Sequence, residues 1–100
     1  MNLKKAFGQA LKITRSMKGL TQEDFGIISS RTYVSSLERG QKSPTIDKVQ
    51  DLAKVLGVHP IALIGLAYAP NNQASAAAEL LRGIASELDE IEAMLTARPR

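Results

Sequence analysis

The chain of 100 residues has room for one domain and an added element, and a hydrophobic content of 44% supplies a core, although aromatics are only 4% and Trp is absent. There is no Cys, which excludes disulfides, thiol catalysis and Cys-ligated metal, and a lone His59 leaves neither a metal cluster nor a His-paired nucleophile. The net charge of +3 divides unevenly: residues 1–72 carry ten Lys/Arg against five acids, whereas residues 73–100 carry three Arg against five acids.

A basic body suits a polyanionic partner, and the acidic tail implies a separate task. No apolar run approaches the roughly 18 residues of a membrane span. The basic opening Met1–Phe7 is followed by Gly8, Gln9 and Lys12 rather than an apolar signal core. The expectation is a cytoplasmic protein with no membrane partner. No activating base accompanies the hydroxyl side chains, so neither an enzyme nor a cofactor is expected.

The first predicted helix runs from about Leu3 to Met17, with Phe7, Ala10, Leu11, Thr14 and Met17 recurring on one face and Gly19 stopping it. A second opens at Thr21 as N-cap, with Asp24 as a short capping-box acid, and reaches about Ile27. The third spans about Arg31 to Arg39, capped by Ser29 or Ser30, with Gly40 beyond it. After the loop Gln41–Pro44, Thr45 caps a fourth helix striped by Ile46, Val49, Leu52, Ala53 and Leu56 and ended by Gly57. His59-Pro60 starts a fifth, with Ile61, Leu63, Ile64 and Leu66 following. Pro70–Gln73 reads as a break. Ser75 then caps a long helix to about Thr96. No segment reads as a strand.

The stretch SSRTYVSSLERG, residues 29–40, is unusual for a helix, because Ser and Thr are mediocre helix formers. Val34 and Leu37 mark its core side, while Arg31, Thr32, Ser35 and Ser36 point away from them. Two short helices joined by a tight turn, the second poor in bulky outward side chains, suit the DNA major groove. There an Arg can fork onto guanine and small hydroxyls can approach base edges.

Several spaced motifs carry a resemblance: "LTQEDF" (Leu20–Phe25), then Ser30, Arg31, Thr32, Val34 and Ser35, then Glu38-Arg39-Gly40, Pro44-Thr45, and Leu52, Ala53, Leu56, Gly57 and Val58. Over about residues 3–66 the chain resembles the phage-repressor and Cro-like (Xre-type) helix-turn-helix family. The resemblance implies a five-helix all-α domain that binds DNA sequence-specifically, usually as a dimer. It implies base-reading roles for Arg31, Thr32, Ser35 and Ser36, and phosphate contacts by Gln22, Tyr33, Arg39 and Lys42. It also implies a structural ion pair between Arg15 and Glu38. The chain departs from the family pattern between Phe25 and Arg31, where it is about two residues shorter and lacks the usual turn Gly. Gly26-Ile27-Ile28-Ser29-Ser30 must therefore shorten the second helix or tighten the turn.

In the tail, Ala77, Leu81, Ile84, Leu88, Ile91 and Leu95 are spaced 4, 3, 4, 3, 4, a heptad seam widened by Leu80 and Met94. It suits either a helix folded onto its own domain or a homodimer contact, and the family's paired half-sites favour the dimer, through Leu81, Ile84, Leu88, Ile91 and Leu95. The fifth helix can share that contact. The expected architecture is all-α: a helix-turn-helix domain over 1–70 and an oligomerisation helix over 71–100. The expected function is a dimeric repressor that binds double-stranded DNA at a palindromic operator through its third helix. The alternative is an antitoxin or accessory member of a two-gene module that binds a protein partner through the C-terminal helix.

Overall fold

In a computed structural model, which describes residues 1–97, five α-helices and two 3-10 turns follow one another, with no strand among the described residues. Arg98 and Arg100, two of the three basic residues assigned to the tail, lie outside that range. Helix α1 (Leu3–Met17) has the bounds its stripe predicts. Asn2 caps it by accepting the Lys5 N–H at 3.1 Å, and Phe7, Ala10 and Leu11 are buried on one face.

The second predicted helix is instead one 3-10 turn, Gln22–Phe25. The Asp24 carboxylate accepts the Thr21 N–H at 2.6 Å, and Phe25 is fully buried. Only five residues separate Phe25 from Arg31, so the chain must leave the core and reach the next helix at once. It does so by bonding the N–H groups of Ile28 and Ser29 both to the Phe25 carbonyl, at 3.0 and 2.9 Å. Ile27, expected at the helix end, stands 97% exposed on this turn.

Helix α2 (Arg31–Glu38) follows, one residue shorter than its pattern suggested. Ser30, not Ser29, is its cap and accepts the Tyr33 N–H at 3.1 Å. Helix α3 (Ile46–Leu56) is capped by Thr45 and closed by Gly57 at φ +72°, the left-handed conformation that Gly adopts without a Cβ penalty. Helix α4 (Pro60–Tyr68) begins with the His59 ring, whose Nδ1 accepts the Ile61 N–H at 3.0 Å.

Helix α5 (Ala74–Ala97) starts earlier than its expected Ser75 cap. The Gln73 carbonyl accepts the Ala77 N–H at 3.0 Å and opens the helix, which places Ser75 inside the first turn. The break before α5 is a built joint. Asn71 and Asn72 both take φ of +53°, which Asn tolerates. The Asn72 amide donates to the carbonyls of Ala6 and Leu66, at 3.2 and 3.1 Å, tying the joint to α1 and α4.

One core serves the helical body. Leu11, Phe25, Val34, Leu37, Leu52 and Leu63 are its largest fully buried side chains, drawn from α1 through α4. Each contributes on the order of 1.5–3 kcal/mol by leaving water. Gly8 lets α1 cross the end of α2 closely: a Cβ there would meet the backbone carbonyls of Leu37 and Glu38, the latter at 2.8 Å. That crossing fixes the height of α2 against the core.

Candidate nucleic-acid interface

Helix α2 is held from beneath by a buried ion pair. Arg15 of α1 donates from Nε to Glu38 Oε2 at 2.7 Å and from Nη2 to Oε1 at 3.0 Å, a bidentate fork. Its Nη1 donates to the Leu20 carbonyl at 3.0 Å. Glu38 is 4% exposed and Arg15 15%. The hydrogen bonds to Glu38 raise the Arg15 pKa above its ordinary value, against a smaller opposing effect of burial, so the guanidinium stays charged. Gln22 completes the cluster by donating Nε2 to Glu38 Oε1 at 3.0 Å. Two elements, α1 and the Gln22–Phe25 turn, thus converge on the last residue of α2, with the acid's charge neutralised inside the fold.

The opposite face of α2 is open. Arg31 and Thr32, in its first turn, are exposed. The Arg31 side chain is 69% exposed and touches Glu23 at 3.5 Å, a surface pair of the kind that holds a side chain only loosely. Ser35 is half-buried. Arg39 is exposed and folds its Nε back toward the Ser35 carbonyl at 3.3 Å. Tyr33 is half-buried, and its ring lies 5.6 Å from the Lys42 Nζ. Gln22, half-buried, sits at the rim beside Glu38.

Ser36 is the residue the sequence reading misplaced. It was expected beside Ser35 on the open face, but it is only 7% exposed and its hydroxyl donates to the Tyr33 carbonyl at 2.7 Å. Its neighbours Val34 and Leu37 are both fully buried, and the helical rotation carries position 36 inward with them. A small hydroxyl that bonds its own helix backbone fits that narrow space.

Lys48 is a residue that sequence reasoning missed. It lies in the first turn of α3, where the helix dipole disfavours a cation. Its Nζ donates to the Ile28 carbonyl at 2.8 Å and lies 5.6 Å from the Tyr33 ring, on which Lys42 also converges. One lysine thereby clamps the shortened turn that precedes α2. The sequence signal was faint: a basic residue three positions after an N-cap, where an acid is usual.

The tail seam divides in two. Ala77 is buried and Leu81 half-buried, with Leu81 Cδ1 3.3 Å from the place a Cβ on Gly65 would take. Beyond them Ile84, Leu88, Ile91 and Leu95 are exposed, Leu88 at 61%. Among the described residues no group of His, Asp or Glu is placed to hold a metal ion, and no single helix is long and apolar enough to cross a membrane.

Comparison with known proteins agrees with this arrangement. The family model described as helix-turn-helix matches residues 11–63. The HTH-type transcriptional regulator y4dJ of Sinorhizobium fredii is 41% identical over 66 residues, 64% of this chain and 86% of the relative. The control protein C.BamHI of Bacillus amyloliquefaciens is 35% identical over 66 residues, 63% of this chain and 82% of the relative. Among solved structures, the restriction-modification controller protein C.AhdI of Aeromonas hydrophila matches with a TM-score of 0.57 and 35% identity, covering 60% of this chain and 94% of its own. Helix α5 lies beyond the span of the family model. With the all-helical body, the open face of α2 and these matches together, the chain belongs to the helix-turn-helix family of Xre-type, Cro-like DNA-binding transcriptional regulators.

Proposed function

We propose that the protein is a dimeric repressor that occupies a palindromic operator and blocks transcription sterically, in the cytoplasm. Helix α2 enters the major groove, where Arg31 and Thr32 meet base edges and Ser35 lies alongside them. The observation that carries this reading is the contrast between the two faces of α2. One is locked by Val34, Leu37 and the Arg15–Glu38 pair; the other offers an exposed Arg and Thr in its first turn. An arginine there can give the bidentate guanine contact, and the Thr32 methyl can meet a thymine methyl.

Tyr33, Arg39, Lys42 and Gln22 contact phosphates, which set register without reading sequence. Lys48 joins them through Tyr33. Ser36 is withdrawn from the base-reading group, since its hydroxyl is already bonded inside the helix. Residues 1–70 form the DNA-binding unit, and the exposed half of the α5 seam makes the contact between copies. Two tethered readers raise the effective concentration of the second at its half-site.

The test is duplex binding by purified protein across a salt series, with footprinting on a selected site. The reading predicts a footprint symmetric about a dyad and an affinity that falls steeply with salt as phosphate contacts release counterions. Affinity unchanged by salt, or a footprint without a dyad, contradicts it.

A further inference from the structure

Resting on the dimeric reading above, we infer that a second copy lays its α5 antiparallel to this one, so that the second copy's distal half fills an apolar groove on this copy's body. The groove has a volume of about 550 Å³. Its walls are Ile13 and Met17 of α1, Ala62 and Leu66 of α4, and Ala78 and Leu81 of α5. Met17 is 83% exposed in the single chain, and Ala62 is also open to solvent.

Size, charge and continuity name the occupant. The first half of α5 presents three small side chains to the groove, Ala74, Ala77 and Ala78, before Leu81. Its second half carries Leu88, Ile91, Met94 and Leu95, all exposed, with Met94 at 70%. An antiparallel pair sets the large half of one helix on the small half of the other, twice by symmetry. The seam spacing of 4, 3, 4, 3, 4 reads the same in both directions, so the reversed pairing keeps its register about a two-fold axis near the helix middle.

The distal half, residues 83–97, carries Glu87, Asp89, Glu90 and Glu92 and no Lys or Arg. The groove's rim carries Lys18. A parallel pair would instead set Glu87 beside Glu92 of the second copy on both sides of the seam, two like-charge contacts, whereas the antiparallel pair brings together only the two Glu87 side chains near the axis. The exposed seam is also continuous with the part already seated on the body at Ala77 and Leu81.

The chain has no Cys, so single introduced thiols report the pairing cleanly. In the antiparallel pair, position 85 of each copy lies near the axis, whereas positions 95 stand about 27 Å apart. Under mild oxidation Ala85→Cys should cross-link into a disulfide dimer and Leu95→Cys should not. Ala62→Arg changes an exposed helix position and should weaken association at least tenfold in sedimentation equilibrium, with helicity unchanged. Leu88→Glu, on the exposed seam, should do the same.

Cross-linking of Leu95→Cys would mean a parallel coil and overturn the inference. A dimer with neither cross-link, undiminished by Ala62→Arg, would overturn it too and move the contact to another surface, such as the apolar patch at Leu3, Ile46 and Tyr68, while leaving the dimeric reading in place. Protein that stays monomeric at every concentration, alone and on duplex, would remove both.

Discussion

Glu38 shows how a single residue anchors α2 from behind its open face. Its carboxylate is 4% exposed and accepts from Arg15 and Gln22, so every strong partner comes from outside its own helix. Truncating it leaves the Arg15 cation uncompensated in a partly buried site, a change that costs about 3–5 kcal/mol. That is a large share of a small domain's stability. Glu38→Ala should therefore lower the melting temperature markedly, and a melting curve matching the parent chain would show that the pair contributes little. Ser36 makes the opposite case. Its hydroxyl bonds within the helix and stays out of solvent, so Ser36→Ala should leave base preference unchanged in a duplex selection. A changed preference would return Ser36 to the base-reading group.

At the scale of elements, the turn before α2 carries the chain's departure from its family pattern, and Lys48 restrains it. The Lys48 bond to the Ile28 carbonyl is charge-assisted, a class that contributes about 1.5–3 kcal/mol. The helix dipole opposes a cation in the first turn by roughly 0.3–1 kcal/mol. The first effect is the larger, so Lys48→Met should destabilise the protein by about 1 kcal/mol in urea denaturation and weaken duplex binding as α2 loses its fixed angle. Greater stability in the variant would show that the dipole penalty dominates.

The helices α1, α3 and α4 were legible in the sequence because local signals mark each: a stripe and a stop for α1, a cap, a stripe and a stop for α3, and His59-Pro60 ahead of an apolar run for α4. Thr45, the Ile46–Leu56 stripe and Gly57 are the clearest set. The second element was not legible as a 3-10 turn. Its cap and acids suit an α-helix equally well, and its length is set by the distance from Phe25 in the core to the Ser30 cap. Ser36 was misplaced because a short helix with one clear core pair leaves its rotation loosely fixed. Lys48 was missed because its partners lie 15 and 20 residues away and follow no local rule.

At the scale of the molecule, a basic body and an acidic projecting helix occupy different parts of one chain. The body holds the core, and α5 begins on it at Ala77 and then extends outward, giving a longest dimension of 51 Å. The family match ends at residue 63, inside α4, and α5 lies wholly beyond it. The central claim is that the first turn of α2 reads bases. It is tested most directly by selecting duplexes from a random pool with the parent chain and with Arg31→Ala, then measuring both proteins on the parent's preferred site. The account predicts a loss of about 1–3 kcal/mol and relaxed preference at one base position in each half-site. An Arg31→Ala variant with undiminished affinity and the same base preference would contradict it.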